Sequence, residues 1–142
     1  VNPNCTIIFT VSPVRHLKDG FIENQRSKAH LITAIHETVN RKLTTDNYFP
    51  SYEIMMDELR DYRFYEQDML HPSQVAIDYI WELFYEKNLD ETIYPIMGEV
   101  ATIQKGLAHL PFNPNADSHQ KFKKKLQLKI SSLQKELPFI KF

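Results

Sequence analysis

Thr6-Ile7-Ile8-Phe9-Thr10-Val11 is a short apolar, β-branched run closed by Ser12-Pro13, the pattern of a buried strand that ends in a loop. After the loop through Gly20 the period changes. Leu31, Ile32, Ile35, Val39 and Leu43 recur at steps of three and four residues, which predicts an amphipathic helix from Gln25 to Lys42 with Asn24 as its N-cap. A second strand is expected around Tyr52 to Met56. Strand, long helix and strand make the crossover unit of a parallel sheet, so the front of the chain reads as α/β.

Beyond Asp57 comes a loop or short helical stretch dense in aromatic and charged groups, Leu59-Arg60-Asp61-Tyr62-Arg63-Phe64-Tyr65, expected to lie over a pocket. Pro72 suits the first turn of a helix, where its missing N–H costs nothing. Ile77, Ile80, Trp81 and Phe84 then repeat as a core face that covers the sheet. Further on, Ile93, Met97, Val100 and Leu107 form one helical stripe. A Pro111-Phe112-Asn113-Pro114 break separates it from another, formed by Phe122, Leu126, Ile130, Leu133 and Leu137. The organisation expected is an α/β portion over residues 1–88 and a helical extension over 89–142, packed on the same domain.

With 142 residues, 42% of them hydrophobic, the chain can bury one core. Its 17 basic and 18 acidic side chains leave a net charge of −1, so no electrostatic field favours nucleic acid or a membrane surface, and neutral small molecules are the expected partners. Lys121, Lys123, Lys124 and Lys125 form the one basic run, which reads as the solvated side of an amphipathic helix. The single cysteine, Cys5, rules out an internal disulfide framework and fits a reducing compartment. No apolar run approaches the ~20 residues that span a bilayer, and no signal-like segment opens the chain, so a cytoplasmic location is favoured. The chain starts at Val1 and enters a strand almost at once, which leads us to expect polypeptide upstream. A sheet cut in this way leaves an open edge through which copies of the chain can associate.

The chemistry concentrates in Asp68-Met69-Leu70-His71-Pro72-Ser73, where a carboxylate precedes an imidazole by three residues. In a nucleophile-activating relay the carboxylate sets the imidazole tautomer, while the other ring nitrogen takes a proton from a hydroxyl or thiol. Ligands of parallel α/β sheets gather at the carboxyl ends of the strands. The two loops expected there, Ser12–Gly20 and Asp57–His71, would bring Ser12, Arg15, His16, Asp68 and His71 to one cleft. Ser12 lacks the flanking glycines of a nucleophile elbow and reads as a turn whose hydroxyl bonds its own backbone. Arg15 and His16 either bind a substrate carboxylate or hydroxyl, or pair with Asp19 or Glu23. His30 and His36 lie six apart, not at the four-residue step of helical zinc ligands, and His109 and His119 have no ligating neighbours, so no metal site and no cofactor is expected.

Longer strings extend the picture. Thr10-Val11-Ser12-Pro13-Val14-Arg15-His16, Glu23-Asn24-Gln25 with Ser27-Lys28-Ala29, Tyr48-Phe49-Pro50-Ser51-Tyr52-Glu53, and Asp57-Glu58-Leu59-Arg60-Asp61-Tyr62-Arg63-Phe64-Tyr65 with Asp68-Met69-Leu70-His71-Pro72-Ser73 resemble the GSCFA family, whose relatives are the SGNH or GDSL-type hydrolases. The resemblance implies the carboxyl-terminal part of a three-layer α/β/α SGNH-like, flavodoxin-like fold, followed by additional helices. It implies hydrolysis of small acyl or carbohydrate esters, with Asp68 orienting His71, His71 as general base, and Ser12, Arg15 and His16 lining the substrate cleft. The chain departs from that pattern in two glycine-containing blocks. Gly20, Gly98 and Gly106 are followed by Phe, Glu and Leu, so neither Gly-Ser-Cys-Phe-Ala nor Gly-Asp-Ser occurs, and the Gly-x-Asn block is missing too. The nucleophile is therefore expected upstream, as either the serine or the cysteine of the naming motif, and these residues alone are expected to turn over little ester. The alternative is a binding or interaction module that keeps an SGNH-like cleft without catalysis.

Overall fold

The structure, a computed structural model, describes residues 5–42 and 48–142. It divides into two compact units, Val1–Leu89 and Asp90–Phe142. In the first, β1 (Phe9–Thr10) pairs in parallel with β2 (Tyr48–Phe49), Phe9 opposite Tyr48 and Thr10 opposite Phe49, and α1 (Phe21–Lys42) lies between them in the chain. The expected strand-helix-strand crossover is therefore present, in a mostly helical chain with a small parallel sheet. The ladder is only two residues long, so β1 takes up part of the Thr6–Val11 run. Pro50 has no N–H to extend the pairing, and the backbone turns helical at Ser51.

The strand expected at Tyr52–Met56 is a helix. α2 (Ser51–Glu53) widens into a π-helix, Ile54–Leu59, which closes on the bond from Arg60 N to Met55 O at 3.3 Å. Met55 and Leu59, four residues apart, are both buried and pack on Ala76. That spacing suits a helix, and Glu, Met and Leu are good helix formers, so tertiary packing and propensity together override the short apolar run at Ile54–Met56.

α1 starts four residues before Gln25. A 3-10 turn, Leu17–Asp19, closes with the Gly20 N–H on Leu17 O at 3.0 Å, and Gly20 at φ +92° lets the chain swing into the helix. Asn24 is consequently inside α1, and its side chain accepts the His16 backbone N–H at 2.8 Å instead of capping the helix. Along the expected stripe Val39 is buried, Ile32 and Ile35 are half-buried, and Leu31 is exposed. Leu43 lies outside the described residues.

α3 (Gln74–Asn88) begins after Pro72, which sits in an isolated antiparallel bridge opposite Tyr65. The bonds flanking that bridge, Glu66 N to His71 O at 2.8 Å and Ser73 N to Phe64 O at 2.7 Å, ask nothing of the missing proline N–H. The core face of α3 also differs from expectation. Ala76, with Tyr79 and Ile80, packs on Met55 and Leu59, whereas Ile77 and Trp81 are about half exposed. A periodic pattern fits two neighbouring faces of one helix, and the small Ala76 allows the close approach that the larger Ile77 forbids.

The second unit contains a 3-10 turn (Glu91–Ile93), α4 (Tyr94–Ala108) and α5 (Asp117–Glu136). Ile103, Leu126, Ile130 and Leu133 form its core, with Val100 and Leu137 packed alongside. Ile103 takes the place expected of Leu107, which is exposed. Close packing explains Gly106, where an added Cβ would stand 2.7 Å from Leu126 Cδ1. No helix among the described residues is long and apolar enough to cross a membrane.

Candidate functional site

The bridge between Tyr65 and Pro72 closes a hairpin with Asp68 to His71 at its tip. Met69 N donates to Glu66 O at 3.0 Å, and Met69 takes the left-handed region at φ +61°, an unfavourable conformation for an unbranched side chain that surrounding bonds must hold. Asp68 supplies two of them. Its Oδ1 accepts the backbone N–H groups of Leu70 at 2.8 Å and His71 at 3.0 Å, so the side chain closes a turn two residues on rather than capping α3.

The other carboxylate oxygen, Oδ2, lies 2.6 Å from His71 Nδ1. The His71 N–H, then the His71 ring, then the Leu70 N–H hold the Asp68 carboxyl well below the usual range, at about 2. Asp68 is thus an acceptor only at neutral pH, and Nδ1 must carry the proton. In the neutral ring Nε2 then presents a lone pair. It has no hydrogen-bond partner among the described residues, on a side chain that is 58% exposed.

Arg15 ties the loop after β1 to this turn. Its backbone N–H donates to Leu70 O at 3.2 Å and Nη1 donates to Met69 O at 3.1 Å, while the guanidinium lies 4.1 Å from the centre of the Tyr65 ring. The structure therefore brings Arg15, Asp68 and His71 together. Arg15 and Asp68 line a groove of about 570 Å³. Ser12 and His16 line a separate cavity of about 230 Å³ at the end of β1. The Ser12 hydroxyl accepts the Val14 N–H at 3.3 Å, a local turn of the kind its Ser-Pro context predicts.

Lys28 was not among the expected site residues. It is 3% exposed, its ammonium donates to Ser12 O at 2.5 Å, and burial lowers its pKa. Its position carried a signal, since Lys28, Ile32, Ile35 and Val39 share one helical stripe and a lysine on an apolar stripe needs a partner inside. Met69 carried none, because a positive φ at methionine has no mark in sequence. His109 and His119, in the second unit, have ring centres 6.5 Å apart and flank Phe122. Among the described residues no three His, Cys, Asp or Glu side chains converge as a metal site would require.

Two sequence models of known families match the chain. That of the GSCFA family covers residues 1–84, and that of the GSCFA domain protein, C-terminal domain, covers residues 100–142. No curated protein matches, and no solved structure does.

Proposed function

The chain belongs to the GSCFA family, and on that premise we propose that it contributes the carboxylate and imidazole of an SGNH-like ester hydrolase, as the carboxyl-terminal part of that three-layer fold. The observation that carries the reading is the 2.6 Å contact between Asp68 Oδ2 and His71 Nδ1, with Nε2 left open. His71 Nε2 takes the proton of a hydroxyl or thiol supplied by polypeptide outside these 142 residues. The resulting anion bonds to the ester carbonyl carbon, the imidazolium returns the proton to the departing alcohol, and an acyl-enzyme remains. Water, deprotonated by the same Nε2, then bonds to the acyl carbon, the imidazolium returns the proton to the departing nucleophile, and the carboxylic acid is released. Throughout, Asp68 stays ionised and steadies the imidazolium.

The absence of a Gly-Ser-Cys or Gly-Asp-Ser turn from these residues favours a second reading, a binding module that retains the cleft without turnover. Kinetics on the full-length protein separate the two. Hydrolysis of p-nitrophenyl acetate that His71→Ala lowers by about 10³-fold or more supports the hydrolase. Turnover unchanged by that substitution, or no turnover in the unaltered protein, leaves only binding.

A further inference from the structure

The groove beside Asp68 is walled mainly by Val14, Leu17, Phe21, Met56, Met69 and Leu70. At about 570 Å³ it falls within the size of ligand pockets, about 300–1,000 Å³. The carboxamide and carboxylate oxygens among its polar side chains each already accept a bond inside the protein, and one Arg15 N–H already donates. The exposed Tyr62 hydroxyl stands at the groove without such a bond among the described residues. Arg15 Nη1 bonds Met69 O, Asn24 Oδ1 accepts the His16 N–H, Gln25 Oε1 accepts the Tyr52 hydroxyl at 3.0 Å, and both Asp68 oxygens accept from the turn. A sugar brings several hydroxyls into such a groove, and each would lose water for oxygens that already hold a partner inside the protein. A hydrocarbon chain brings no such demand. Phe21, 69% exposed, and Met69, 49% exposed, also leave apolar surface in water at the rim, and the two methionines supply unbranched, adaptable walls.

We infer that this groove is the acyl-chain subsite of the ester substrate, selecting medium-length aliphatic acyl groups over acetylated carbohydrate. The inference rests on the hydrolase reading, because Asp68, the carboxylate that orients His71, is one of the residues lining the groove. Each methylene that leaves water for an apolar wall strengthens binding by up to about fourfold. On the full-length protein, kcat/KM should therefore climb from p-nitrophenyl acetate through butyrate to octanoate, by about tenfold or more overall. Phe21→Asp should bring the octanoate-to-acetate ratio near one. Ile22→Asp, at the next position of α1 and off the groove, should leave the ratio high. Sodium octanoate should shift the backbone amide resonances of Phe21 and Met69 in NMR titrations.

Failure of the groove and failure of the hydrolase look different. Ester turnover with a flat or falling chain-length profile, or with acetylated sugar preferred, overturns the subsite and leaves the hydrolase standing. Octanoate shifts at Phe21 and Met69 without turnover of any ester keep the groove and overturn the hydrolase. Absence of both overturns both.

Discussion

Replacing Asp68 by Asn tests the relay at the atom where it is most exposed to refutation. The carboxamide is nearly the same size, and its oxygen can still accept the Leu70 and His71 N–H groups that Oδ1 accepts at 2.8 and 3.0 Å, so the turn should persist. Oδ2, however, becomes an NH₂ group facing His71 Nδ1 across 2.6 Å. Two donors cannot share that contact, and Nδ1 must become the acceptor, which moves the ring proton to Nε2. An Nε2–H cannot take a proton from a nucleophile. In a buried Ser-His-Asp triad the same substitution costs about 10⁴-fold in kcat. Here the two side chains are 58% and 46% exposed, and water screens the pair, so a loss of about 10²–10³-fold is expected. The assay is kcat for p-nitrophenyl acetate in the full-length protein, read beside the imidazole ¹⁵N shifts that report the tautomer. Full activity together with an Nε2-protonated ring would refute the role given to Asp68. An Nδ1-protonated ring in the Asn variant would refute the hydrogen-bond argument itself.

Arg15→Lys keeps the charge but loses the planar face on Tyr65 and the fork-shaped donor on Met69 O. It should cost about 1–2 kcal/mol in urea unfolding and broaden the amide resonances of Met69 and Leu70. The Asp68 carboxyl should titrate at about 2 by ¹³C NMR. A depressed folded-state pKa means that its stabilising contribution is complete above the ordinary carboxylate range and fades as pH falls through about 2, so acid should loosen the turn only below that range. For Lys28 the sign is opposite. Burial lowers its folded-state pKa, the unfolded chain binds the proton more tightly, and stability gains from this group as pH rises toward 10.5. Lys28→Met should abolish that gain in unfolding curves recorded between neutral and alkaline pH. Leu133→Ala empties a position that is 1% exposed in the core of the second unit and should cost about 2–5 kcal/mol, measured by thermal unfolding.

Periodicity located the long elements well. The stripes of α1 and α5 and the Pro111–Pro114 break are visible in the sequence because a helix that buries one face must repeat its apolar residues every three or four positions. It was least informative where the apolar run was short. Ile54-Met55-Met56 reads equally as strand or helix, and the decision fell to Met55 and Leu59 meeting Ala76. The face of α3 was ambiguous in the same way, and the size of one side chain at the contact selected it.

The candidate site divides along a similar line. Asp68 and His71 were legible as a pair because three residues of chain fix how far apart two side chains can be, and the local turn brings them within hydrogen-bond distance. Such information is local, and a linear sequence contains it. Arg15 on the Met69 carbonyl, the burial of Lys28, and the placing of Ser12 and His16 in a different cavity from Asp68 depend on residues distant in the chain. Only tertiary structure decides these, because the loop after β1 and the hairpin before α3 acquire a relative position from the crossover through α1, which no short-range pattern encodes.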